Sequence, residues 1–170
     1  MTERKSSTFD VLCEMEANGV GKMRCEVAGD LIVGDKAAPS FEMSFQMASD
    51  EGKFHGGDDT GPPPLAFFCT GLISCLMTQV RAFSRRLKTP IGNVTIIGRI
   101  LWRAEQAGRD PYVASPISFE LDVDLDSSAS LADQRQLINA AKKGCFVEAS
   151  LAEAVPVAHR VKSNGDWLPA

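Results

Sequence analysis

The stretch "GPPPLAFFCTGLISCLMTQVRAFSRRLKTP", Gly61 to Pro90, constrains the fold more than any other part of the chain. Its early prolines suit the first turn of a helix, and no proline interrupts the run from Leu65 to Thr89. Arg85, Arg86 and Lys88, then Pro90, mark the end, so a helix is expected from about Pro63 to about Leu87. The first half of that helix is apolar nearly all round. Such a helix belongs in the middle of a structure or between subunits, not on a surface. Thr70, Gly71, Ser74, Thr78 and Gln79 break the apolar run Leu65–Val80, which therefore reads as a core element and not as a membrane span. Cys69 and Cys75 lie inside it. Cysteine is a small core hydrophobe unless something ionises it, and then it is a nucleophile.

Around this helix the pattern is mostly β. "FDVLCEMEA" (Phe9–Ala17) and "KMRCEVAGDLIVG" (Lys22–Gly34) are β-leaning runs parted by Asn18 and Gly19, which favours a hairpin. "SFEMSFQMA" places Phe41, Met43, Phe45 and Met47 on one face of a half-buried strand. "SDEGKFHGGDDTGPPP" is a loop. Asn93–Glu105 and Ser115–Leu125 make a plausible antiparallel pair. Ser130 caps a second helix, "LADQRQLINAAKK", with Asp133 three residues after the cap, Gly144 just past the end and Cys145 directly after it. "CFVEASLAEA" suggests one short turn, and Val155–Ser163 a last strand. The order β-β-β-α-β-β-α-β gives an α+β class. At 170 residues, 44% hydrophobic and 24% charged, the chain suits a single domain over 1–170 with a sizeable core.

Charge and motifs narrow the chemistry. A net charge of −4 leaves no basic footprint for nucleic acid or an anionic membrane, so a small neutral or amphipathic partner fits better. The start "MTERKSSTFDVL" lacks a secretory apolar region, and a cytoplasmic location is expected. His55 beside Asp58 and Asp59 reads as a solvated turn and His159 as a core or edge residue, so no metal or cofactor is expected. Glu120, Asp122, Asp124 and Asp126 alternate along one solvated strand face. CxxC, P-loop, GxGxxG and G-x-S-x-G patterns are absent. Five cysteines, Cys13, Cys25, Cys69, Cys75 and Cys145, form no regular framework and in a reducing compartment are catalytic or inert; Cys13 and Cys25 read as packing residues. Cys69 and Cys75 are separated along a helix by roughly 9 Å of rise and about 120°, and cannot bridge. Cys145 escapes that restriction, so a redox pair would join it to one cysteine of the long helix.

The segments "GGDDTGPPPLAFFCTGLISCLMTQV" and "AAKKGCFVEASL", with the order of elements, resemble the OsmC/Ohr family of organic-hydroperoxide-reducing thiol peroxidases. The resemblance implies antiparallel sheets around a long central helix in an intertwined homodimer with active sites at the subunit interface. By position, Cys75 matches the peroxidatic cysteine, Cys145 the resolving one and Pro64 the helix-opening proline; Cys69 matches no functional position. It also implies an organic hydroperoxide substrate, an external dithiol reductant and no cofactor. The chain departs from the family in two places. Leu65 and Ala66 stand where a glutamate pairs with a thiolate-stabilising arginine, and Phe146 replaces the proline after the resolving cysteine. Arg24 is the nearest candidate for that arginine. The alternative these departures favour is a non-catalytic OsmC-like dimer that binds a small apolar ligand at its interface.

Overall fold

The computed structural model describes residues 8–163 and 165–170. They form two compact units, one up to Phe68 and one from Cys69 onward.

In the first unit, β1 (Val11–Gly19), β2 (Cys25–Asp35) and β3 (Ala38–Ser49) make an antiparallel sheet in that order. The expected β1–β2 hairpin forms, but its turn lies after Asn18 and Gly19, which pair with Glu26 and Cys25. The register gathers Val11, Val33 and Phe41, then Cys13, Leu31 and Met43, then Ala17, Val27 and Met47, on one face. Glu14, Glu16, Glu26, Asp30 and Glu42 fall on the other, because successive strand side chains alternate. One expectation is corrected here in part: Val27, Leu31, Val33 and Phe45 are half-buried, but the rest of the β3 face is open. Phe41, Met43 and Met47 are 51%, 48% and 38% exposed, and Cys13 is exposed instead of packed. After β3 a single 3-10 turn, Lys53–His55, leads to α1 (Pro64–Leu87). His55 stacks on Phe54 at 4.5 Å and lies 3.5 Å from Glu51.

α1 runs into the second unit, where β4 (Val94–Glu105) pairs antiparallel with β5 (Val113–Leu125). Their register turns Val94, Ile96, Leu121, Val123 and Leu125 inward and leaves Thr95, Arg99, Glu120, Asp122 and Asp124 outward. Arg99 and Asp122 form an exposed ion pair at 2.6 Å across that outer face. α2 (Leu131–Gly144) and α3 (Phe146–Ala152) come next. The core gathers Leu76 and Val80 of α1, Leu137 and Ala141 of α2, and Cys145. Gly98 of β4 permits the close approach of α1, since a Cβ there would lie 2.8 Å from Ile73 Cδ1. By length and composition α1 could cross a membrane. Here it buries the stripe Leu72, Leu76, Val80 and Ser84, at helical spacing, and the first three are apolar residues of the core.

The C-terminal end differs from expectation. The last predicted strand shortens to β6 (Arg160–Ser163), and Asp166–Pro169 returns as β7. Pro156 has no N–H to give a ladder, which fits the late start. The turn uses Gly165 at φ +93, a conformation glycine adopts without strain.

Candidate active site

Cys145 occupies the joint between α2 and α3. It ends α2, its N–H donating to the Lys142 carbonyl at 3.2 Å, and its own extended backbone starts α3. Its sulfur accepts from the Glu148 N–H at 3.5 Å. Gly144 sets how closely this joint meets α1. A Cβ on Gly144 would stand 2.6 Å from Phe83 Cζ, inside any real contact distance. Cys75, Gln79 and Phe83 succeed one another at four-residue spacing on α1, so the contact at Phe83 brings the joint alongside the stripe that carries Cys75.

The two thiols meet. Cys75 packs against the cluster containing Cys145, its sulfur helps to raise the Cys145 thiol, and neither is in a disulfide. Cys145 is fully buried and Cys75 half-buried. Burial pushes the Cys145 thiol up to about 11. The Glu148 N–H works against burial, while the Cys75 sulfur and the Glu148 charge add to it. Cys69 is half-buried on α1, six residues before Cys75.

Glu148 is a site residue that sequence reasoning missed. Its Oε1 is buried with no hydrogen-bond partner among the described residues. Burial raises its carboxyl, and the Lys142 ammonium pulls the other way. Both side chains border a cavity of about 650 Å³ whose remaining walls are mainly apolar, among them Leu72, Phe119, Ile138 and Leu151. "CFVE" was visible as a departure from the family, but nothing in the sequence showed that this glutamate turns inward.

Arg24 belongs to the first unit. Its Nη1 donates to Thr60 Oγ1 at 3.1 Å and lies 3.5 Å from the Thr60 carbonyl oxygen. Thr60 donates in turn, from Oγ1 at 2.8 Å and N–H at 3.0 Å, to Oδ2 of Asp50. The two Thr60 bonds hold the Asp50 carboxyl below its ordinary range although only 1% of the residue is exposed. Asp50 and Thr60, in a loop read from sequence only as punctuation, thus tether the guanidinium.

Comparison with known proteins gives this geometry a family. A family model described as OsmC-like protein matches residues 56–160, a span that contains Cys75 and Cys145. The chain belongs to the OsmC family. An OsmC-like hydroperoxide resistance protein from Jannaschia sp. CCS1 is 38% identical, with 95% of this chain and 99% of that one covered and a TM-score of 0.63. An organic hydroperoxide resistance protein OsmC from Legionella pneumophila (13% identity; 82% and 88% covered; TM-score 0.51) shares the fold. So does one from Elizabethkingia anophelis (16%; 84% and 89%; 0.53). Comparison with curated proteins gives no match. As an OsmC-like chain, the protein has the α+β fold of antiparallel sheets and a long helix that the sequence indicated.

Proposed function

We propose that this OsmC-like protein reduces organic hydroperoxides with its own thiols, Cys75 attacking and Cys145 resolving. The observation that carries the reading is the meeting of these two unbridged thiols, from different helical elements, in one core cluster. The 38% identical relative, described as a hydroperoxide resistance protein, supports it. The Cys75 thiolate takes the distal oxygen of the hydroperoxide, releasing the alcohol and leaving a sulfenic acid. Cys145 then displaces water to form a disulfide, which an external dithiol reduces. An ordinary thiol is only a few per cent ionised at neutral pH, so the attack needs a cation. Arg24, held by Thr60 and Asp50, is our candidate by family correspondence, since Leu65 and Ala66 offer no carboxylate to orient it. The open apolar face of the β1–β3 sheet supports a homodimer, because a patch of Phe41, Met43 and Met47 is costly to leave in water. We place the protein in the cytoplasm, where thiols stay reduced.

The apolar cavity favours a second reading, a non-catalytic dimer that holds a small apolar ligand. Treatment with one equivalent of an alkyl hydroperoxide and then peptide mass mapping separates the two. The peroxidase reading expects an intrachain Cys75–Cys145 disulfide, and loss of peroxide consumption in Cys75→Ser. No disulfide, or undiminished consumption by that variant, would favour the binding module.

A further inference from the structure

We infer that Glu148 is the proton acceptor that arms Cys145 for the resolving step. The inference rests on the thiol-peroxidase reading above and adds a residue to it. Resolution requires a thiolate on Cys145, yet this sulfur is fully buried. With its thiol pushed up to about 11, only about one molecule in 10⁴ carries the thiolate at pH 7. Some group must remove the proton as the sulfur attacks.

Glu148 stands where that group is needed. Its N–H contacts the Cys145 sulfur at 3.5 Å, and its carboxyl is near enough for its charge to act on the thiol. Its buried Oε1 has no hydrogen-bond partner among the described residues, so an acceptor site is unused. Among the described residues that line the cavity, Glu148 is the only carboxylate. α1 brings Cys75; α2 brings Lys142, an ammonium whose charge favours the ionised carboxylate; β5 brings Pro116, Phe119, Leu121 and Val123. Burial also raises the carboxyl, which narrows the gap between base and thiol and makes it a stronger acceptor than an exposed glutamate.

The step balances without another reagent. The Cys145 thiol gives its proton to Glu148 as its sulfur bonds to the Cys75 sulfur. The S–O bond of the sulfenic acid breaks, and the leaving oxygen takes the proton from Glu148 and departs as water. The sulfenic sulfur is reduced and the thiol sulfur oxidised, each to the disulfide level.

Glu148→Gln keeps the shape and removes the base. The experiment oxidises reduced protein with one equivalent of an alkyl hydroperoxide, then tracks sulfenic acid by dimedone trapping and the Cys75–Cys145 disulfide by mass mapping across pH. In Glu148→Gln, disulfide closure at pH 7 should slow on the order of 100-fold, with trappable sulfenic acid persisting on Cys75. Closure in that variant should quicken about tenfold per pH unit as the thiolate fraction grows, against a flatter wild-type profile. Glu148→Asp, which restores a carboxylate, should recover part of the rate and the flatter profile. Closure at the wild-type rate in Glu148→Gln would overturn the inference. So would slower closure with the wild-type pH profile, which would mark a packing role. If the wild type itself forms neither sulfenic acid nor disulfide at Cys75, the peroxidase reading falls and takes this inference with it; a working wild type beside an unaffected variant removes the inference alone.

Discussion

Removing the buried thiol should change how the fold responds to alkali. In Cys145→Ala the sulfur leaves a site with no solvent exposure, and lost packing should cost roughly 1–2 kcal/mol. At pH 8 the variant should therefore unfold at lower urea than the wild type. Above that pH the wild type carries a penalty that the variant lacks. Its native thiol is pushed from an ordinary 9.0 to about 11, so between these values the unfolded chain has released a proton that the folded chain still holds. Stability falls with pH wherever the native state binds more protons, so the Cys145 contribution is complete below 9 and drains away as pH rises toward 11. Two units at 1.36 kcal/mol each give a ceiling of about 3 kcal/mol, of which about 2 kcal/mol has accumulated by pH 11. With a urea slope near 2 kcal/mol/M, that is a relative shift of about 1 M in midpoint. The assay is urea unfolding of both proteins under reductant at pH 8, 9.5 and 11. Lysine and tyrosine titrations are common to both and cancel in the difference. The variant's deficit at pH 8 should close, or reverse, by pH 11. A gap that stays constant from pH 8 to 11 would refute the argument that burial keeps this thiol protonated.

Three other changes test the site's supports. Glu148→Gln should gain on the wild type between pH 4 and pH 7, because a raised carboxyl favours the fold below 4.5 and withdraws that support as pH rises through its folded value; equal urea midpoint differences at the two pH values would count against a buried carboxyl. Gly144→Ala should lose about 1–3 kcal/mol to displacement of the Phe83 ring, more than the helix propensity it returns, and should form less Cys75–Cys145 disulfide on oxidation. A variant as stable as the wild type would show that the ring yields freely. Ser130→Ala should cost about 1 kcal/mol in thermal or urea unfolding, since the Ser130 hydroxyl accepts from the Asp133 N–H at 3.2 Å and donates to its carboxylate at 2.7 Å.

What was legible in the sequence is what depends on period and punctuation. The long helix was visible because its apolar run has a proline start and a cationic stop, and the β4–β5 pair because its carboxylates alternate with apolar residues. The α2 cap was visible because serine with an acid three residues on is a local signature. Long-range contacts left no such trace. Gly144 looked like a helix terminator, and its role in clearing Phe83 depends on two helices far apart in sequence. The tail became β7 through pairing with β6, which seven residues could not announce. Met43 and Phe41 read as half-buried because alternation shows which side chains share a face and not whether that face is covered.

The same distinction bears on the site's charges. Read along the chain, the departures at Leu65, Ala66 and "CFVE" both favour the non-catalytic alternative. In three dimensions they are different in kind. At the first, Leu65 and Ala66 offer no carboxylate at the start of α1, and Arg24 is held by Thr60 and Asp50. At the second, Glu148 sets a carboxylate one helical turn beyond Cys145, where burial and a neighbouring thiol make its proton affinity matter. A carboxylate beside a guanidinium can only orient and stay charged, whereas one beside a buried thiol can exchange a proton. On the thiol-peroxidase reading, this chain's distinctive chemistry therefore lies less in the attack by Cys75 than in how Cys145 is made to answer it.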